Sequence, residues 1–279
     1  MPPRPTAEIL RRVTTPTAAT ASSGEGPSSL LASAVRNNAE WCAAVCRTHG
    51  VTGRFGSSVW SSAARTPPYY PDAVTLLPGA TPDDVLPHVD HVSPGCTVKD
   101  CYATLDLAPH GFTELFAAQW IHRAAPVRDG GERAEQVLTH TELAEWRTAW
   151  GGGVGVDVPD IFRPALLDDP AVVVLALREG ERLYGGSVLS GGAGVVGVSN
   201  LFATDAAPPG AVWAATLRAA AWHFPGLDAV GYEQGDDLAH AGAAGFRALG
   251  RLRVWLHGGG EASGVSDSPH TSHRSPRTP

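Results

Sequence analysis

Apolar positions along this chain follow helical spacing in some stretches and strand spacing in others, and they change at glycines and prolines. Trp41, Cys42, Val45 and Cys46 share one helical face that stops at His49-Gly50, where a glycine suits the C-cap, so a helix is predicted from about Asn37. Residues 55–60 and 73–77 read as short strands, separated by Thr66-Pro67-Pro68-Tyr69-Tyr70-Pro71. Pro82-Asp83-Asp84 opens a helix with Thr81 as its cap and carboxylates in its first turn. Residues 96–100 predict a strand, 102–107 a helix and 112–122 a strand.

The second half has a different order. Leu143 and Trp146 share a face in a helix predicted over 141–150, capped by Thr139 or Thr141 and closed by Gly151-Gly152-Gly153. Pro159-Asp160 starts a short helix at 161–167. Residues 171–177, 182–189 and 194–203 predict three strands joined by tight turns, hence an antiparallel meander. Val212, Leu217, Ala220 and Phe224 mark 211–224 as a long helix, entered through Pro208-Pro209-Gly210 and ended by Pro225-Gly226. With a strand at 229–232 behind it, this helix implies a parallel strand pair with a right-handed crossover.

Two stretches resemble each other. Val98-Lys99-Asp100, Gly111-Phe112, Leu115 and Trp120-Ile121-His122 match Val230-Gly231-Tyr232, Gly245-Phe246, Leu249 and Trp255-Leu256-His257. Both read as strand, short helix, Gly-Phe turn and strand, which suggests two related lobes. Trp120 and Trp255 are expected in the core. The turn-rich stretch 126–132 is the best linker candidate, so residues 36–125 are expected to form one lobe and 134–257 another. Residues 1–35 and 258–279, rich in Pro, Ser, Thr and Gly, are expected to be a disordered lead and tail.

Composition narrows the function classes. With 43% hydrophobic and 18% charged residues, a real core is available. A formal charge of −7, with only 21 basic residues and arginine far ahead of lysine, opposes a nucleic-acid surface. No run approaches a membrane span and no signal peptide is evident, so a cytoplasmic protein is expected. Cys42, Cys46, Cys96 and Cys101 are then expected as free thiols; Cys42 and Cys46 would share a helix face, but no second ligand pair follows, so no metal is predicted.

The predicted order of elements is similar to that of the GNAT, or Gcn5-related, N-acetyltransferase fold. The resemblance rests on Val195-Val196-Gly197-Val198-Ser199-Asn200 as the central strand, Pro209-Gly210 before the long helix, the strand at Val230-Gly231-Tyr232, and Gly245-Phe246. It covers residues 137–257 well and 37–123 as a shorter partial copy, and it implies an α/β fold of the α+β type, with a mixed sheet in two tandem GNAT-like lobes. It further implies acyl transfer from acetyl-CoA or another acyl-CoA, a co-substrate, to a small-molecule amine or an amino-acid-like acceptor. Val198, Ser199 and Asn200 would hold the thioester, and Gly210, Ala211 and Val212 at the helix N-terminus would hold the pyrophosphate. Glu233 or Asp236 would take the amine's proton, and Tyr232 would complete the catalytic set. Asp100 and Tyr102 would face the same cleft from the other lobe.

The chain departs from the family pattern in two places. Its phosphate loop has no basic residue, and Pro208 and Pro209 remove two N–H donors. The tyrosine usual before Gly-Phe is replaced by Ala241-Gly242-Ala243-Ala244, leaving Tyr232 and His240 as the nearest proton donors. These departures favour a second reading, a non-catalytic GNAT-like ligand-binding or regulatory protein. Aminoacyl transfer from a charged tRNA is a third reading, which the acidic charge opposes. Capping is the ordinary alternative role for Asp236.

Overall fold

The computed structural model describes residues 27–258, except 129, 132–133, 154, 156–158 and 205–206; the expectations for 1–26 and 259–279 lie outside the described residues. The first helix, α1 (Pro27–Thr48), starts ten residues before Asn37, so the expected lead ends inside it. Ala34 and Val35 are fully buried and extend the face of Cys42, Val45 and Cys46. The polar run Arg36-Asn37-Asn38 between them and the small Ala and Ser residues before Ala34 dilute the periodicity. Gly50 closes the helix at φ +73, with Val51 N–H donating to the Cys46 carbonyl.

The strand expected at 55–60 is a hairpin, β1 (Arg54–Phe55) and β2 (Val59–Ser61), because Gly56 turns the chain and its N–H donates to the Val59 carbonyl. Then come β3 (Ala73–Thr75), the single turn α2 (Pro82–Val85), β4 (Thr97–Asp100) and β5 (Phe112–Arg123). No helix forms at 102–107. The buried Asp100 carboxylate accepts the N–H groups of Tyr102 and Leu105 at 3.4 and 2.9 Å, taking donors that a helix needs; a 3₁₀ turn, Ala108–His110, follows instead. Asp100 and Tyr102 therefore build a turn. The Asp100 side chain is fully buried, 3.6 Å from the Arg253 guanidinium.

The second half contains β6 (Glu135–Gln136), α3 (His140–Trp150), β7 (Val172–Glu179), β8 (Arg182–Gly192) and β9 (Val195–Ala203). After them come α4 (Pro209–His223), β10 (Asp228–Glu233), α5 (Gly235–Ala243) and β11 (Arg247–His257). Thr139 caps α3 through a capping box with Glu142. The expected helix at 161–167 is a 3₁₀ segment, Pro164–Asp168, which begins at its proline. The expected antiparallel meander β7-β8-β9 is present, and α4 joins β9 to a parallel β10.

The eleven strands among the described residues form one mixed sheet in the order β1-β2-β3-β4-β11-β5-β10-β9-β8-β7-β6. From the β11/β5 pair outward, each side reads the same way: an antiparallel neighbour (β4 or β10), then a parallel strand (β3 or β9), then an antiparallel one. Each half's last strand lies inside the other half: β11 sits between β4 and β5, and β5 between β10 and β11. The Gly-Phe positions mark the starts of these two strands.

One face of the sheet is covered by α1 and α3, over Trp41, Trp120, Trp146 and Phe162; the other is covered by α4 and α5, over Leu175, Leu189, Trp213 and Phe246. Trp120 and Trp255 are 1% and 6% exposed, as core residues should be. The four cysteines are buried free thiols, and no metal-binding cluster occurs among the described residues. No helix among them is long and apolar enough to cross a membrane.

Candidate functional site

β9 and β10 run side by side for three pairs, Val195 with Asp228, Val196 with Ala229 and Gly197 with Val230, and then separate. Val198, Ser199 and Asn200 continue without a β10 partner. Ser199 still pairs with Val188 of β8, but Asn200 and Leu201 together oppose Ser187 in a bulge that puts Asn200 at φ +52. Glycines allow the close approaches at the fork. A Cβ on Gly197 would lie 2.8 Å from the Ser190 Oγ and would also strike Asn37; one on Gly231 would lie 2.9 Å from the Val198 carbonyl oxygen.

The separation opens a cleft of about 1030 Å³, counting the space at its mouth. Val198, Ser199, Asn200, Tyr232 and Glu233 line it from the second half. The first half supplies Asn38 and Trp41 of α1, Tyr69 and Tyr70 of the proline-rich connection, Lys99 of β4 and Trp120 of β5. Asn37 fastens α1 over the fork by donating to the Ser190 carbonyl at 2.8 Å.

The electrostatics of this cleft are unusual for an acidic protein. Burial, reinforced by Asp237, pushes the Glu233 carboxyl up to about 8, and Glu233 has no hydrogen-bond partner among the described residues. Lys99, 4% exposed, donates to Asn38 Oδ1 at 2.9 Å and to Tyr232 Oη at 3.3 Å, with its Nζ 4.4 Å from the Tyr232 ring centroid. Burial opposes the Lys99 charge, but Tyr232, Cys42 and Cys101 support it, and its pKa lies above the usual lysine value. Burial also holds the Tyr70 phenol well above its usual pKa, against a hydrogen bond from the Asn200 side chain region that works the other way.

The remaining expected residues lie elsewhere. Asp236 is exposed in the first turn of α5, whose N-cap is Gln234, so Asp236 is neither in the cleft nor the cap. His240 stands 3.7 Å from Asp237. Gly210, Ala211 and Val212 form the first turn of α4. Pro209 has no N–H to offer there, the Ala211 N–H donates to the Pro208 carbonyl at 2.9 Å, and the Val212 side chain is fully buried. Gly210 is thus the first-turn donor best placed to face an anion. The fork offers unpartnered strand backbone on the cleft wall, whereas the first turn of α4 offers few N–H donors.

Lys99, Tyr70 and Asn38 were not read from the sequence as site residues. One signal was available for Lys99: it is the only lysine in the chain, among 20 arginines.

The architecture has solved counterparts. A GCN5-related N-acetyltransferase from Kribbella flavida superposes with a TM-score of 0.55 at 14% identity, over 81% of this chain and 96% of that one. A protein assigned to the GNAT acetyltransferase family from Novosphingobium aromaticivorans gives 0.53 at 11% identity, over 83% and 98%. No sequence-family model and no curated protein sequence matches the chain. At these identities the likeness is one of fold, and the chain has the GNAT-type fold, a mixed α+β architecture around one large sheet.

Proposed function

We propose that the chain is an N-acyltransferase that moves an acyl group, acetyl in the simplest case, from acyl-CoA to a small-molecule amine. The fork between β9 and β10 carries this reading: it leaves the backbone of residues 198–200 without a β10 partner on the wall of a cleft that also holds Glu233. The thioester supplies the activated acyl group. Polar backbone groups at Val198 and Ser199 would polarise its carbonyl. Glu233 takes the proton that the amine sheds as the new C–N bond forms, and Tyr232 gives a proton to the departing thiolate as the C–S bond breaks. Lys99 donates to the Tyr232 hydroxyl oxygen at 3.3 Å and so holds it in place for that transfer.

In this reading the second half, 134–257, performs the chemistry, and the first, 36–125, shapes the acceptor side as a degenerate copy of the same unit. The symmetric strand order supports that duplication. Buried free thiols support a reducing, cytoplasmic setting. The sparse donors at Pro208 and Pro209 favour the second reading, a GNAT-like ligand-binding or regulatory protein. Calorimetry with acetyl-CoA, together with thiol release in the presence of an amine panel, separates the two. Binding with turnover supports transfer, binding without turnover on any amine leaves a sensor, and no binding at millimolar acetyl-CoA overturns both acyl-CoA readings.

A further inference from the structure

Burying an ammonium group away from water costs several kcal/mol unless a counter-charge or a full set of acceptors offsets it. Lys99 has neither. Two of its three N–H groups reach neutral oxygens, on Asn38 and Tyr232, and among the described residues no carboxylate comes within ion-pair distance of it. The nearest acidic lining residue, Glu233, is itself shifted toward the neutral form, and its shift is set by burial and Asp237 with no contribution from Lys99. The cleft therefore presents a lysine side chain whose ammonium lacks a counter-charge among the described residues, while the chain as a whole carries −7.

The placement is specific. Lys99 leaves β4 and reaches Tyr232 on β10, across the positions of β11 and β5, where Ala118 of β5 lines the cleft with a small side chain. All other basic side chains in this protein, apart from histidines, are arginines, which stay better hydrogen-bonded in partly buried ion pairs; the one lysine ammonium lines the cleft.

We propose that Lys99 is an anion site for the acceptor, and that the acceptor amine carries a carboxylate, which completes the coordination of the Lys99 ammonium beside Asn38 and Tyr232. This inference rests on the N-acyltransferase reading for the word acceptor, and on the geometry of Lys99 for the carboxylate. One ammonium suits a monoanion. A phosphate dianion calls for more donors, and among the described residues no arginine or histidine lines the cleft. The acceptor, and not the acyl group, carries the charge because Lys99 comes from the first half of the sheet, under α1, on the far side of Tyr232 from the fork.

A single lysine gives a direct test in the unmodified protein. The protein labelled with ¹⁵N at lysine Nζ has one such resonance. Titration with free amino acids and with their primary amides, as matched pairs, is expected to shift it with the acids alone, and the acids are expected to bind about tenfold more tightly, the worth of one charge-assisted hydrogen bond. In Lys99→Met the difference between acid and amide falls to about twofold or less, read by quenching of Trp41 and Trp120 fluorescence. Equal binding of acids and amides by the unmodified protein, an unresponsive Nζ, or no binding by any pair overturns the anion site, even if acyl transfer to simple amines is found. Acid-selective binding without any thiol release from acetyl-CoA keeps the anion site and removes the transferase reading. A Lys99-dependent preference for succinyl-CoA over acetyl-CoA, with no acid preference among acceptors, would move the carboxylate to the acyl group and overturn the assignment to the acceptor.

Discussion

In the second half of the sheet, β9 is nine residues long and runs on past its three pairs with β10, whereas in the first half the three-residue β3 makes two pairs with β4 and ends one residue later. Where the first half could have opened, Thr75 Oγ1 accepts the Cys101 N–H at 2.9 Å and latches the strands together. The connecting helices differ as well: α4 has 15 residues and α2 four. The same strand order thus yields an open fork on one side and a closed pair on the other. The closed half contributes by sending Lys99, Tyr70 and Trp120 into the cleft of its counterpart.

The sharpest contrast is between two carboxyl groups at the ends of corresponding strands. Asp100 is consumed by backbone N–H groups and Arg253, while Glu233 is desolvated and free of hydrogen bonds among the described residues. Glu233→Gln should lower kcat by about a hundredfold to ten-thousandfold in a thiol-release assay. The unmodified protein's rate should rise with pH through about 8, as Glu233 ionises, and that limb should vanish in the variant. Stability follows with the opposite sign. The folded form keeps the Glu233 proton up to about 8, whereas an unfolded chain releases it near 4.5, so the native state binds more protons between those values and loses stability as pH rises across them. Urea midpoints measured at both ends of this window should show the slope in the parent and a flatter one in Glu233→Gln. Full activity in the variant would leave the two carboxyls equivalent.

Closing the fork should make the halves alike. Gly231→Val sets a side chain where a Cβ already lies 2.9 Å from the Val198 carbonyl, so the strands must shift. The expected loss in kcat/KM is about a hundredfold, the size of an ångström-scale misplacement. A stability cost of about 1–3 kcal/mol should accompany it in denaturant titrations.

The unequal halves also explain which features the sequence made legible. Strands 171–203 and helix 211–224 are long, local and strongly patterned, so their order and the β9/β10 crossover could be read directly, and Val198, Ser199, Asn200, Tyr232 and Glu233 followed from the family resemblance. Apolar spacing says nothing about partners, so the exchange of β5 and β11, more than a hundred residues apart in sequence, could not be read. Lys99, Tyr70 and Asn38 were missed for the same reason: they reach the cleft through that exchange and through α1. The absent helix at 102–107 has a local cause, an aspartate that outcompetes helix formation for backbone donors.

Opening the latch in the closed half should affect stability and leave chemistry alone. Thr75→Val removes the acceptor of the buried Cys101 N–H, at a cost of about 1–3 kcal/mol. Thermal or urea unfolding would register that cost. An unchanged kcat would show that the latch does not set the geometry of the cleft; a large drop would show that the halves are mechanically coupled through β4 and Lys99.

The smallest effect concerns the two crossover helices at their N-termini. At α2 the site is already filled by the protein itself: the Asp84 carboxylate accepts from the Thr81 N–H and hydroxyl, both at 2.8 Å. At α4 the N-cap is Pro208, which has no side-chain acceptor, yet Pro209 withholds one donor and the Pro208 carbonyl engages the Ala211 N–H. Pro209→Ala returns an N–H to the first turn without ending the helix. If this turn meets the pyrophosphate, CoA affinity measured by calorimetry should rise about threefold to tenfold, the worth of one added hydrogen bond, and affinity for acetyl-pantetheine, which lacks the pyrophosphate, should not change. An equal change for both ligands would place the effect in the fork, and no change for either would mean that the phosphates lie away from α4, so that the open half differs from the closed one in its cleft but not in its use of a helix N-terminus.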